Sequence, residues 1–186
     1  MIRPLLRLAA GGLCVLALAG CISLLPKSKP VALYRFGQAP AAQANPAPAA
    51  GAVGVFRANG TFPLEAAGDR ILTITGGKAA YLSDSRWVSP ASVLFDQAVL
   101  EAFDVAPGPV RLISRGELGN AAYALRLDVR NFEARYDSGP KAAPTVVVRV
   151  RAALARNDKT LASEQIFEAR VTADDNRVSA IAAAYD

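Results

Sequence analysis

Apolar and polar residues alternate along three long segments in the second half of the chain, as in strands with one buried face and one wet face. The first segment alternates Tyr123, Leu125, Leu127 and Val129 with Ala124, Arg126, Asp128 and Arg130. Phe132 breaks this phase, which predicts a β-bulge near Asn131. The same alternation returns over 146–154 and, beyond a turn at Asn157-Asp158, over 167–171. The pattern predicts a meander of three strands.

Shorter apolar runs in the first half predict further strands over 31–36, 52–57, 70–75, 78–82 and 110–113. Gly76-Gly77 separates two of them and suits a two-residue hairpin, because both glycines tolerate positive φ. Three-four spacing of apolar residues predicts a helix over 91–104, opened by a Ser89 cap and Pro90. Asp174-Asp175-Asn176 resembles the cap of a last helix over 177–185.

Two other segments have the composition of connections. Residues 37–51 are rich in Ala and Pro and lack apolar periodicity, so we expect a surface loop or linker there. Asn59-Gly60-Thr61 matches a glycosylation sequon, but Asn-Gly is also a strong turn signal. In the bacterial context that the N-terminus indicates, we interpret it as a turn.

The N-terminus has the three parts of a secretory signal. Arg3 and Arg7 form a basic start, an uncharged apolar run follows, and Leu18-Ala19-Gly20 precedes Cys21. This arrangement is similar to a bacterial lipobox, in which the cysteine is acylated and becomes the first mature residue. The uncharged stretch 8–26 is also long enough for an uncleaved membrane helix. Its three glycines and Pro26 favour the cleaved lipoprotein.

Composition excludes several kinds of site. The chain has 186 residues, enough for one domain of ordinary size, with no histidine and two cysteines. A His/Cys zinc site, a Ser-His-Asp triad and a Cys-His dyad therefore cannot be assembled from it. Loss of Cys14 with the signal leaves Cys21 alone, so we expect no disulfide in the mature protein. The sequence indicates neither a cofactor nor a metal.

Charge gives little reason to expect a nucleic-acid partner. The formal net charge is +5, and removal of Arg3 and Arg7 leaves 19 basic residues against 16 acidic ones, or +3. Such a mild excess in an exported protein argues against nucleic acid.

Six residues of the predicted domain are candidates for partner docking: Arg86, Trp87, Arg126, Arg130, Arg149 and Arg151. Trp87, the only tryptophan, is either a docking aromatic or a core residue beside a helix entry. Four of the arginines, together with Arg170, either form a basic stripe or alternate with Asp128 and Glu168 in solvated cross-strand pairs: Arg126, Arg130, Arg149 and Arg151. In both cases the second alternative is favoured.

Acidic residues offer a weaker hypothesis of catalysis. A glycosidase-like pair of carboxylates would be drawn from Asp84, Glu101, Glu117 and Glu133, but no motif brings them together. The glycine pairs lack the spacing and lysine of a phosphate-binding loop. The chain is therefore predicted not to be an enzyme.

Four stretches together resemble the ABC-type transport auxiliary lipoproteins, the family of the paraquat-inducible operon's lipoprotein component. They are Cys21 followed by Tyr34-Arg35-Phe36, the segment from Tyr81 through Trp87 to Pro90, the strand from Tyr123 to Phe132-Glu133, and Leu161 to Glu168 with the last helix. The likeness covers nearly the whole mature chain. The Ala/Pro-rich loop and the short last helix depart from the family pattern.

The resemblance implies an α/β fold: one domain in which helices pack on a mixed, mostly antiparallel sheet. The predicted organisation is a signal peptide (1–20), a tether (21–30) and this domain (31–186). It also implies an accessory protein that is anchored in the membrane by acylation (palmitate) at Cys21. This accessory would dock the MCE-domain (mammalian-cell-entry) substrate-binding protein of an ABC transporter. The transporter would carry lipids or hydrophobic compounds between membranes. A homo-oligomer is compatible with the family.

The predicted location is the periplasmic face of the outer membrane. Ile22 follows the lipidated cysteine, where an aspartate would favour retention at the inner membrane. The alternative is a structural or regulatory outer-membrane lipoprotein, such as an activator of a cell-wall synthase, which would share the anchor and the small domain.

Overall fold

A mixed sheet of seven strands organises the domain. In this computed structural model the described residues are 30–37, 51–105, 108–114, 116–117 and 119–186. The predicted signal peptide, Cys21, most of the tether and residues 38–50 of the Ala/Pro-rich loop lie outside them. Residues Val31–Asp186 form one unit. No helix in the described part of the chain is long and apolar enough to cross a membrane.

The three longest strands are those that the alternation predicts: β7 (Tyr123–Arg135), β8 (Thr145–Arg156) and β9 (Leu161–Thr172). They pair antiparallel in sequence order, and β9 forms one edge of the sheet. On its other side, β7 pairs in parallel with β2 (Val53–Arg57) through its first residues and with β3 (Leu72–Thr75) through its last. Two short strands complete the sheet: β6 (Val110–Ile113) beside β2, and β4 (Lys78–Tyr81) beside β3.

A separate two-stranded ribbon joins β1 (Ala32–Tyr34) in parallel to β5 (Ser85–Trp87). The sequence patterns did not indicate β5, nor the short helix α1 (Leu64–Ala67). The other helices are α2 (Ala91–Val105) and α3 (Val178–Ala183). The residue that caps α2 is Pro90 and not the predicted Ser89. The carbonyl oxygen of Pro90 accepts the first hydrogen bond of the helix, from Leu94 N at 3.1 Å.

Backbone irregularities occur at two predicted positions. The register between β7 and β8 shifts between Val129 and Asn131, so the predicted bulge is confirmed, with Arg130 as the additional residue. Gly76 and Gly77 join β3 to β4 with φ of 52° and 82°, which confirms the hairpin.

The Asn59-Gly60 segment has a different role from the predicted turn. It follows β2 and runs along the middle of β7, where Ala58 N donates to Leu125 O and Val129 N donates to Thr61 O. A Cβ on Gly60 would lie 1.7 Å from Leu127 O. Glycine is required here because two backbones approach closely, and its φ is not in the positive range.

The core lies between one face of the sheet and the helices. Phe36, Trp87, Leu94, Val129 and Phe132 are buried together, and Tyr34, Phe62, Phe95 and Tyr185 pack around them. A second cluster joins Ala134 and Val146 of the sheet to Ala173 and Ile181 near the C-terminus. Four of them lie on the core face of β7 and β8: Val129, Phe132, Ala134 and Val146. Most of the charged side chains of these strands lie on the opposite face.

Candidate docking surface

Trp87 lies in the core of the domain. It is 2% exposed, and its ring meets Phe36 and Tyr185 edge-on at centroid distances of 4.9 Å and 5.1 Å. The packing role considered for Trp87 is confirmed. Its inclusion in an accessible docking surface is therefore corrected, because burial of the ring leaves nothing for a partner to contact.

Arg86 precedes Trp87 on β5 and points to the opposite side of the strand, because successive side chains alternate. It is exposed, and its Nη1 atom donates to both carboxylate oxygens of Asp69 at 3.0 and 3.1 Å. Arg86 is thus accessible, but it lies on the β1–β5 ribbon and not on the sheet that carries the other candidate arginines.

The other predicted docking residues come together on one side of β7, β8 and β9, opposite the core. We call this surface the arginine face. Register places Asp128 beside Arg151, and Arg149 beside both Asn131 and Glu168. The face comprises six arginines and four carboxylates: Arg126, Arg130, Arg135, Arg149, Arg151, Arg170, Asp128, Glu133, Glu164 and Glu168.

Asp128 is the buried centre of the arginine face, with a side chain only 2% exposed. It accepts hydrogen bonds from Arg126 Nε at 2.9 Å, Arg151 Nη1 at 3.1 Å, and both the backbone N–H and the hydroxyl of Thr61 at 3.0 Å. Burial by itself would raise the pKa of this carboxyl, but the hydrogen bonds from Arg126 and Thr61 outweigh it and lower the pKa below its usual value. Asp128 therefore stays ionised and holds two arginines in place.

Ion pairs across and along the strands extend from Asp128 over the arginine face. Arg151 Nε donates to Glu164 at 2.8 Å, and its Nη2 atom bonds the second oxygen of the same carboxylate. Glu168 lies between Arg170 at 2.6 Å and Arg149 at 3.5 Å. The hydrogen bond from Arg151 lowers the pKa of Glu164, and that from Arg170 lowers the pKa of Glu168. Cross-strand pairs of the predicted kind are thus present, although Asp128 at their centre is buried and not solvated.

The arginine face still carries an excess of positive charge. Its six guanidinium groups exceed its four carboxylates, and Arg130, at the bulge, has no ion pair within 4 Å among the described residues. Arg130 acts on Glu164 only through the longer-range field. An ordered, mildly basic surface of this kind suits a protein partner with acidic residues, since complementary charges orient an encounter.

The four acidic residues considered for catalysis are not brought together. Glu117 accepts from Arg111 and from Ser114 N, whereas Glu133 accepts from Asn131 and Arg135. Asp84 precedes β5, and Glu101 lies on α2. No contact in the described part of the chain joins two of the four. Within the same residues, no three His, Cys, Asp or Glu side chains are placed to share a metal ion.

Two features were not foreseen from the sequence. Arg57 on β2 is buried and donates to Asp96 of α2 at 2.6 Å, which joins sheet and helix by an ion pair. A cleft of about 480 Å³ opens between α2, the core face of β8 and β9, and the C-terminal residues. Its walls are mostly apolar, and neither feature has a local sequence signal because each depends on how distant elements pack.

Comparison with known proteins agrees with this architecture. The family model described as "ABC-type transport auxiliary lipoprotein component" matches residues 34–186. A crystal structure of a DUF330-family protein from Xanthomonas campestris is similar, with a TM-score of 0.68, 21% identity, and coverage of 83% of this chain and 86% of the other. A second solved protein, described as uncharacterized, has a TM-score of 0.61, 15% identity and coverage of 83% and 88%. No curated protein matches the sequence.

Proposed function

The chain belongs to the family of ABC-type transport auxiliary lipoprotein components, and from this we propose that it is the lipid-anchored accessory of an ABC/MCE-type system carrying lipids or hydrophobic compounds between membranes. The observation that carries the proposal is the extent of the family match, since residues 34–186 include nearly the entire folded domain. Its role would be to hold and dock the transporter, with no chemical step of its own.

Cys21 would supply the anchor at the outer membrane. It stands directly after Leu18-Ala19-Gly20, and Ile22 follows it in place of the aspartate that favours inner-membrane retention. One acyl chain gives only marginal membrane binding, whereas several chains anchor stably because each buried CH₂ contributes about 0.8 kcal/mol. Cys21→Ser should therefore release the protein or leave its precursor at the inner membrane. Co-fractionation of the variant with the outer membrane would show that the anchor is wrongly assigned.

The arginine face is the surface that we propose for docking the MCE-domain protein. Arg149 and Arg130 carry exposed guanidinium groups there, and the network around Asp128 fixes the face in one arrangement. Charge complementarity of this kind mainly governs orientation and association rate. We therefore assign partner selection to the arginines, whereas the lipid anchor keeps the protein at the membrane.

Partner capture tests the proposed function. Cells carrying the tagged, lipidated protein are crosslinked and their membranes solubilised, and the captured proteins are identified by mass spectrometry. We expect an MCE-domain subunit, with an ATPase and a permease of the same system. Recovery of a cell-wall synthase without any transporter subunit would contradict the proposal and favour a structural or regulatory lipoprotein.

A further inference from the structure

The β1–β5 ribbon has one buried side and one apolar exposed side. Tyr34 and Trp87 face the core cluster. The other side, which we call the ribbon outer face, consists of Val31, Leu33, Arg35, Arg86 and Val88. The exposed fractions of its apolar residues are 46% for Val31, 63% for Leu33 and 49% for Val88. Strand register brings them together, because Leu33 pairs with Arg86 and Val88 N donates to Tyr34 O at 2.8 Å.

Basic groups accompany this apolar surface. Arg35 is exposed and has no ion pair among the described residues, whereas Arg86 shares its charge with Asp69. In the sequence, the segment 22–30 that precedes the ribbon contains Lys27 and Lys29 and no acidic residue. Apolar side chains with basic neighbours are the composition that binds at the boundary between anionic headgroups and acyl chains.

The short connection between Cys21 and Val31 limits how far the ribbon outer face can lie from the membrane. Only nine residues separate Cys21 from Val31, where the chain enters the domain. Ten successive Cα–Cα steps span at most about 33–36 Å even when fully extended. A lipid on Cys21 would therefore keep Val31 near the bilayer, so that even a weak contact is favoured by a high local concentration of lipid.

We propose that the ribbon outer face lies against the membrane that holds the Cys21 anchor, with Leu33 and Val88 at the level where headgroups meet acyl chains. The inference rests on the lipid anchor of the proposed function and adds an orientation to it. The anchored domain is then held at the membrane by two connections, one covalent and one through this face.

Site-specific fluorescence tests the orientation. The mature chain has no cysteine besides Cys21, whose thiol the lipid occupies, so Leu33→Cys accepts a polarity-sensitive dye at one position. Phe167→Cys is the matched control, because Phe167 is 53% exposed on β9. The full lipidated protein is reconstituted into vesicles of phosphatidylethanolamine and phosphatidylglycerol. We expect a blue shift and quenching by brominated lipid at position 33, and neither at position 167.

The outcomes separate this inference from the anchor on which it rests. If the vesicles carry the protein in a flotation gradient while the dye at position 33 remains in water, only the orientation is overturned. An equal response at positions 33 and 167 overturns it as well, because the domain then has no preferred face. If the lipidated protein fails to float, the anchor itself is wrong and the orientation falls with it.

A second variant tests the apolar contact without relying on a dye at Leu33. Leu33→Asp is combined with a dye at Val88→Cys. Because Leu33 is mostly exposed, the unfolding midpoint should stay that of the Val88→Cys parent. We expect the dye at position 88 to lose its blue shift on vesicles, and a retained shift would contradict the proposed contact.

Discussion

Gly60 lies where residues 58–61 pass close to the middle of β7. The Asn-Gly pair predicts a turn. In the structure, the absence of a Cβ on Gly60 instead allows residues 58–61 to lie against the middle of β7. That part of β7 is left without a strand partner on this side, because β2 pairs with its beginning and β3 with its end. Gly60 thus allows a loop to cover a gap in the sheet.

Gly60→Ala should destabilise the domain by at least about 1–3 kcal/mol, the usual cost of forcing extra atoms into a packed site. The reason is that the added Cβ would meet Leu127 O at 1.7 Å. Gly68→Ala is the control, since a Cβ there meets nothing within 4 Å and φ is −79°. Denaturant unfolding followed by the fluorescence of Trp87 measures both. Equal midpoints for the two variants would contradict the role of Gly60.

Asp128 is a second residue whose role depends on a distant segment. Alternation predicts a wet face for it, and the side chain does lie on that face, but Thr61 and two arginines bury it. No local pattern indicates this, because Thr61 is 67 positions away in the chain. The arginine face was thus predictable as a set of residues, whereas its buried centre was not.

Asp128→Asn should lower the unfolding free energy at neutral pH by about 2–3 kcal/mol, as expected for hydrogen bonds to a charged group. The pKa of Asp128 is lowered in the folded state. Its contribution is therefore present above the unfolded pKa, at about pH 4, and is lost as the pH falls through the folded value. Urea unfolding of both proteins across this range should show their difference shrinking in acid. A difference that is constant with pH would contradict the charged role.

At the scale of elements, the long periodic segments and most short apolar runs were predictable, whereas β5 and α1 were not. Strands β7, β8 and β9, the glycine hairpin and α2 were all predicted, because period and turn chemistry are local signals. Strand β5 and helix α1 have three and four residues, too few to show a period. All pairings of β1, β2 and β6 are parallel, and parallel neighbours are joined by long connections that leave no turn signal between them.

The bulge at Arg130 explains how β7 keeps its apolar residues on the core face along its whole length. Val129 lies opposite Val150 and Asn131 opposite Arg149, so Arg130 is additional to the pairing. If Arg130 instead occupied a regular paired position, Phe132 would point to the wet face, because side chains alternate. The bulge therefore accounts for the break in the alternation of apolar and polar residues at Phe132.

Deletion of Arg130 should accordingly be tolerated, since the remaining residues already pair in an unbroken register with β8. Deletion of Arg126 is the matched control, because Arg126 is paired with Ala153 and lies outside the bulge. Its loss would turn the side chains of half of β7 to the opposite face of the sheet. We expect a cooperative unfolding transition for the first variant and loss of soluble, folded protein for the second. Circular dichroism and Trp87 fluorescence distinguish the two. Similar behaviour of both deletions would contradict the assigned register.

At the scale of the whole molecule, the domain presents surfaces of different character. The arginine face is ordered and charged, the ribbon outer face is apolar and adjoins the predicted tether, and β9 is exposed along all twelve of its residues. A docking protein held at a membrane needs one surface toward lipid and another toward its partner. The proposed function assigns the arginine face to the partner and leaves the ribbon outer face for the membrane.

Photocrosslinking in living cells identifies the protein that contacts the arginine face. A photoreactive residue replaces Arg149 or Arg130 on the arginine face, and Lys78, exposed on β4, serves as the control position. We expect adducts with an MCE-domain protein from positions 149 and 130 and none from position 78. Adducts with a cell-wall synthase alone, or no transporter subunit from any position, would contradict the assignment as a transport accessory.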